Sequence, residues 1–398
     1  MQPQDDLNMK RILPIIVISQ FFCTSVWFAG NAVMADIVTL HHLDPGFLAH
    51  LVSAVQLGFI SGTLLYALLT IADRFSPSLV FFCSAIVAAL FNLGILIADL
   101  NSTGLLASRL LTGFFLAGIY PVGMKIASDH YQEGLGRSLG FLVGALVLGT
   151  ALPHGLKSFT TGLPWKWVIL TSSALCLAGG SAMWLLVSDG PYRKKSSGFD
   201  VTALLKGFRK KAFRSAALGY FGHMWELYSF WAFLPVMLTA YNTRYPEAAI
   251  NVPLLSFCII GAGALACVIS GTLSRSYGAK NIATLALALS CTCCLFSPFF
   301  LFNASPVLML FFLFFWGWVV IADSPLFSTM VAQNAPVESR GTSLTIVNCI
   351  GFSITIVSIQ LLHILSGNID PEYLYMLLAI GPALGLLALL KGESHPAT

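Results

Sequence analysis

The sequence predicts an all-α integral membrane protein of twelve spanning helices, arranged as two matching halves of six, with both termini cytoplasmic. Three observations predict it. Hydrophobic residues make up 57% of the 398 and charged residues only 10%, whereas a soluble domain carries about 25% charged residues. Apolar stretches fill nearly the whole chain, each near the roughly 20 residues that cross a bilayer at about 1.5 Å rise per residue. The few Lys and Arg gather on one side of those stretches. Nothing is left for a soluble domain larger than a loop.

The spans read as 12–38, 47–71, 79–98, 104–128, 138–157, 166–187, 214–240, 251–273, 281–302, 306–331, 341–365 and 373–390. Most connections are short. The exception, 188–213, is polar and basic, and it separates a first half, 1–187, from a second, 214–398. It reads as a topogenic, lipid-facing linker, with a regulatory or partner site as the sharper alternative. The stretch Ile12 to Val38 is too long for the apolar core of a signal peptide and reads as a first span that also directs insertion.

Orientation follows from charge. With the N-terminus inside, 16 of the 21 Lys and Arg lie on the cytoplasmic side. Only Lys157, Lys166 and Arg244 lie outside, and Arg109 and Lys125 fall within span four. The nine cysteines all sit in apolar segments, so no disulfide framework is expected. Cys291, Cys293 and Cys294 read as small helix fillers rather than a metal or redox site. His41, His42, Asp44 and His50 on the outer side have metal-ligand chemistry, but a solvated loop explains them. No metal or cofactor is expected. No Gly-x-x-x-x-Gly-Lys-Ser/Thr phosphate loop occurs, so any energy comes from an ion gradient.

The halves look duplicated. Arg74 follows span two and Arg275 follows span eight, 201 residues later; Arg137 follows span four and Arg340 follows span ten, 203 residues later. Glutamates accompany the second pair, at Glu133 and Glu338. Two landmarks with nearly one offset point to a repeated six-span unit.

In these features the chain resembles the major facilitator superfamily over essentially its whole length. The loop after span two keeps the Asp73-Arg74 pair of that family's Gly-x-x-x-Asp-Arg-x-Gly-Arg-Arg/Lys signature, with Leu69 for the leading glycine. The loop after span eight keeps Gly278 and Lys280, with Ser274 for the aspartate. Span four carries Arg109-Leu-Leu-Thr-Gly113, similar to the family's Arg-x-x-x-Gly. Span five has Gly140, Gly144 and Gly149 but not the Gly-Pro pair of the antiporter signature, which weakens the case for export. The strings Gly222 to Tyr228 and Ala322 to Ser328 look like a bacterial branch named by analogy with anion permeases. The resemblance implies two pseudo-symmetric six-helix bundles around a central cavity and alternating access. It also implies that Asp73 and Arg74, with Arg275 as counterpart, act as a gating latch; plain topogenic charge is the alternative.

A charge within a span costs about 2.5–3.5 kcal/mol on insertion scales, so each needs a reason. Glu226 lies near the middle of span seven and Asp323 in span ten. Both are expected to be proton-binding carboxylates, because a protonated carboxyl loses the charge that hinders reorientation. His223 is three residues before Glu226, on the same helix face, and would relay the proton or tune the glutamate's pKa. Asp323 precedes Ser324-Pro325, where proline frees a carbonyl and breaks the helix. Arg109 joins the proton-coupling set, with pairing to a carboxylate or to backbone carbonyls as its alternative. The expected substrate-binding residues are Lys125, Tyr120, His154, Trp27, Asn31, Gln56, Trp225, Tyr228, Trp231 and Asn348. Lys125 has a simpler alternative, snorkelling to the inner interface, and His154 an interfacial one. The aromatic residues are equally at home in interfacial belts.

The expected function is proton-coupled transport of a small anionic or zwitterionic solute across a bacterial cytoplasmic membrane, import preferred. Its partners would be the solute, protons and membrane lipids, without nucleic acid, and the chain would be a monomer. Efflux of an amphipathic compound or siderophore is the second reading. A membrane-embedded enzyme or flippase is a third, for which no nucleophile or metal constellation is evident. A sensor would need a soluble output domain.

Overall fold

The computed structural model describes residues 3–44, 46–97, 100–131, 135–159, 163–193, 207–336 and 340–391. The glutamates expected beside the loop arginines, Glu133 and Glu338, and residues 194–206 of the basic linker lie outside the described residues. Among the described residues there are helices and no strand. The chain divides into two compact units, Met1–Phe199 and Asp200–Thr398.

In the first unit the helices are α1 (Pro3–Thr24), α2 (Ala29–Ala32), α3 (Met34–His41), α4 (Phe47–Leu68), α5 (Ile71–Arg74), α6 (Pro77–Leu93), α7 (Ser102–Leu116), α8 (Tyr120–His130), α9 (Leu135–Phe159) and α10 (Lys166–Leu186). In the second they are α11 (Lys211–Arg244), α12 (Val252–Tyr277), α13 (Ala279–Phe302), α14 (Pro306–Ala322), α15 (Ser324–Asn334), α16 (Arg340–Leu365), α17 (Pro371–Leu374) and α18 (Ile380–Leu390).

Ten helical segments among the described residues are long and apolar enough to cross a membrane. Two of them, Ser102–His130 and Pro306–Asn334, are helix pairs broken in the middle. The first and seventh spans complete twelve. The first is in pieces, with Arg11–Thr24 as its apolar part. The seventh, α11, is 34 residues long and carries His223, Glu226 and several Tyr and Trp, which dilute its apolar character. Backbone groups in hydrocarbon must be satisfied within the segment, and only helices achieve that here. Many large apolar side chains face outward, among them Leu57, Phe299, Val307, Phe311 and Leu390, as a lipid-facing surface requires.

Among the described residues, breaks interrupt spans one, four and ten, and span one is broken again at Val33. The one at Asp323, between α14 and α15, is where the sequence places it, just before Ser324-Pro325. The corresponding break in span four, between Leu116 and Tyr120, was read as continuous helix; it precedes Pro121, 204 residues before Pro325. Span one was also read as continuous, yet α1 ends at Thr24 and helix resumes at Ala29. There the Thr24 hydroxyl donates to Gln20 O (2.8 Å) and the Ser25 hydroxyl to Phe22 O (2.7 Å). Such hydroxyls compete with the backbone ladder and favour its interruption.

In the first unit α4 packs along α7, α6 along α10, and α1 against α9 and α10. In the second α11 packs along α18 and α16, and α12 along α14. The α4–α7 contact depends on glycine. A Cβ on Gly113 would stand 2.0 Å from Val55 O, and one on Gly58 1.9 Å from Leu110 O. The second unit repeats the motif: a Cβ on Gly317 would stand 3.0 Å from Ile259 O. Both partners are displaced by 204 residues, 113 to 317 and 55 to 259, so the duplication seen in the loops is also present in the packing. Close approach without a side chain is how helices associate in lipid. Gly113→Ala is expected to force α4 and α7 apart at a cost of about 2 kcal/mol, read as a lower melting temperature of the purified protein. Gly140 makes no such approach: nothing among the described residues lies within 4 Å of a Cβ there.

Candidate functional site

Glu226 is carried by α11 at 1% exposure. Its Oε1 accepts from the Ser290 hydroxyl on α13 (2.5 Å) and from the Trp316 indole N–H on α14 (2.6 Å). Trp316 is wedged in turn against Phe230 and Phe312, with ring centroids 4.8 and 5.5 Å away. The carboxyl therefore sits in an apolar, aromatic-walled position where two donors from different helices converge on one oxygen. No Lys or Arg pairs with it among the described residues.

Asp323, also 1% exposed, occupies the break between α14 and α15. Its backbone carbonyl accepts from Leu326 N (3.0 Å) and Phe327 N (2.9 Å), which closes the first turn of α15. His223 Nδ1 approaches its Oδ1 to 2.8 Å. That contact has ion-pair distance but lacks good hydrogen-bond alignment. Neither Asp323 oxygen, nor His223 Nε2, has a hydrogen-bond partner among the described residues. His223 and Glu226 are one turn apart on the same face of α11. Two buried carboxyls and an imidazole thus share the interior of the second unit without a paired Lys or Arg among the described residues.

Three aromatic residues of α11 expected to line the cavity, Trp225, Tyr228 and Trp231, have other partners. Trp225 donates its indole N–H to Leu377 O (3.1 Å), and a Cβ on Gly381 would stand 2.4 Å from its Cβ. That commits it to the C-terminal helices and separates it from Glu226, beside which the sequence sets it. Tyr228 and Trp231 form a ring group with Phe352 of α16: Tyr228 lies 5.2 Å from each by centroid. Asn348 is half-buried one turn before Phe352 on the same helix.

In the first unit Arg109 of α7 is fully buried. Its Nη1 and Nη2 donate to Val26 O (3.2 and 3.1 Å), Nη2 donates to Trp27 O, and Nη1 donates to Asn92 Oδ1 (3.0 Å). Asn92 Nδ2 donates onward to Ser173 Oγ (2.9 Å). The carbonyls it takes are those released where span one unwinds. Arg109 is thus held by backbone oxygens, the alternative recognised for it in the sequence. Trp27 lies at that break with its ring 4.8 Å from Phe59. Asn31 and Gln56 are buried on α2 and α4, His154 is buried on α9, and Tyr120 is half-buried at the start of α8.

Lys125 lies midway along α8 with Nζ 2.9 Å from Asp73 Oδ1 and 3.5 Å from Asp129 Oδ2. The structure thus joins a residue expected to hold substrate to one expected to gate. Arg74 donates Nε to Thr70 Oγ1 (3.1 Å), and Arg275 is exposed in the last turn of α12. The segment after α10 straps this corner: Arg193 Nη2 donates to Asp73 O (3.0 Å) and Phe75 O (2.7 Å), and Ser76 Oγ to Asp189 Oδ1 (2.7 Å).

Ser290, Trp316, Asn92 and Asp129 were not singled out in the sequence. Ser and Asn in apolar helices carry little signal, and Trp316 is one aromatic among several in 311–318.

The arrangement of loops, broken helices and duplicated glycine contacts has a match among known families. The family model described as Major Facilitator Superfamily matches residues 16–359. The chain belongs to the major facilitator superfamily. Among solved structures it is similar to the human organic anion transporter MFSD10 (TETRAN), with a TM-score of 0.76 and 13% identity, covering 98% of this chain and 100% of that one. No curated protein sequence matches significantly. As a member of the superfamily the chain is a secondary transporter working by alternating access, and it is not an enzyme. Asp73 and Arg74 stand in the superfamily's loop after span two, and here the loop carboxylate is bound to the neighbouring span through Lys125.

Proposed function

We propose that this transporter couples proton movement through Glu226 and Asp323, with His223 as relay, to the passage of a small anionic or zwitterionic solute. The membrane would be a bacterial cytoplasmic membrane and the direction inward. The observation that carries the coupling is that Glu226 and Asp323 are both buried in one unit with no Lys or Arg paired to them among the described residues. An ionised carboxylate without a fixed counter-charge is costly there, and proton binding removes the cost. Ser290 and Trp316 donate to the carboxylate form of Glu226. Protonation leaves Oε1 an acceptor but removes the charge that strengthens its bonds from α13 and α14, and it gives α11 a donor. Occupancy by a proton therefore biases how three helices pack, which is the requirement for coupling a bound ion to a conformational equilibrium.

Of the two solute classes, the zwitterion is better supported. The two cations within span four are engaged, Arg109 by carbonyls and Lys125 by carboxylates. The cargo named for the human structure, an organic anion, keeps the anion in view. Efflux of an amphipathic compound or siderophore is the second reading, favoured by the Tyr228–Trp231–Phe352 ring group.

The test is uptake into proteoliposomes holding a pH-sensitive dye. A zwitterionic cargo is expected to move protons with it and to accumulate only under an inward proton gradient. Accumulation that ignores the gradient would remove the proton role, and outward accumulation would favour the second reading.

A further inference from the structure

Three buried amide side chains of the first unit, Gln20, Asn31 and Gln56, have atoms without a hydrogen-bond partner among the described residues, and Gln56 and Asn31 stand where α2 meets α4. Gln56 of α4 is fully buried, and neither its Nε2 nor its Oε1 has a hydrogen-bond partner among the described residues. Asn31 of α2 is 9% exposed, and its Nδ2 is likewise without one. The two flank a ring pair. Trp27 precedes Asn31 by four residues, Phe59 follows Gln56 by three, and the Trp27 and Phe59 rings lie 4.8 Å apart by centroid. Since α2 packs on α4, amides and rings line one junction beside the break in span one.

Charge at this junction is already committed. Arg109 lies close, 3.3 Å by Nε from a Cβ on Gly30, but its guanidinium donates to Val26 O, Trp27 O and Asn92. Asp36, further out on α3, is paired with Lys157 at 2.6 Å. Buried amides with donor and acceptor unengaged are destabilising, and such groups ordinarily find a partner, whether protein, water or ligand. An amide presents N–H and C=O side by side. Its complement is another adjacent donor and acceptor, and the two rings add an apolar wall of the kind that orients a bound ring or short chain.

We propose that this junction recognises an uncharged part of the transported solute, a carboxamide or a vicinal pair of hydroxyls, and rejects a carboxylate at that position. A carboxylate has no donor for Gln56 Oε1 and would leave it unpaired against a negative charge. The proposal rests on the transporter reading above and concerns which part of the cargo the first unit reads.

Matched neutral and acidic probes test it on the purified full-length chain: nicotinamide against nicotinate, glutamine against glutamate, glucose against gluconate. Melting curves across a concentration series are expected to show binding of a neutral member at least about tenfold tighter than its acid. Gln56→Leu removes an unpartnered group, so it is expected to melt no lower than the parent and to lose that preference. Asn31→Leu provides a second variant with the same expected outcome. Preference for the acidic members, no binding by any neutral member, or a preference that survives Gln56→Leu would each overturn the proposal. Proton movement with an acidic probe alone would overturn it while leaving the coupling reading intact.

Discussion

Glu226→Gln is expected to lower gradient-driven uptake by about 100-fold, the low end of what removing a positioned proton-transfer group does, while the protein still folds. Glutamine retains an oxygen to accept from Ser290 and Trp316, the donors that now converge on the carboxyl. It reproduces the neutral form and cannot change charge. Counterflow, the exchange of labelled for unlabelled solute without net proton movement, should survive. The pair of measurements separates binding from coupling: a variant that still accumulates solute against its gradient would exclude Glu226 as the proton site. Glu226→Asp keeps the titrating group but shortens its reach to Trp316, so partial coupling is expected.

Arg109→Leu is expected to lower stability by roughly 3 kcal/mol. The guanidinium supplies donors to Val26 O, Trp27 O and Asn92 Oδ1 in a fully buried place. Each buried acceptor left unpaired costs about 1–3 kcal/mol, partly offset because a desolvated charge is also removed. At about 2–4 °C per kcal/mol for a unit of this size, the melting temperature should fall by about 10 °C. Arg109→Lys keeps the charge but not the fork, and one ammonium cannot satisfy three separated acceptors; an intermediate fall is expected. A proton-transfer role predicts the reverse pattern, with stability kept and coupling altered in the lysine variant.

The fold was legible because lipid is an exacting solvent. Length and apolarity alone marked the spans, and Pro325 after Asp323 marked one break. The duplication was readable from Arg74 and Arg275, and the Gly113–Val55 and Gly317–Ile259 contacts repeat it in the packing. The break in span one was not legible. Its cause is spread over Thr24, Ser25 and an arginine about 80 residues away, and no local pattern announces an arginine that substitutes for missing backbone donors. Likewise, Lys125 read as a candidate ligand because its helix position was known and its partners were not; Asp73 is a loop residue from another part of the chain.

Composition and periodicity were enough to establish membrane residence, helix number, duplication and the short roster of costly charges, since each of those follows from one-dimensional patterns set against the bilayer. Which charge meets which partner was settled by packing alone. Glu226 faces Ser290 and Trp316, whereas Trp225, its neighbour in sequence, turns about 100° away around the helix to Leu377. A hydrogen bond depends on ångström-scale distances between elements far apart along the chain, and a sequence pattern carries no such distance.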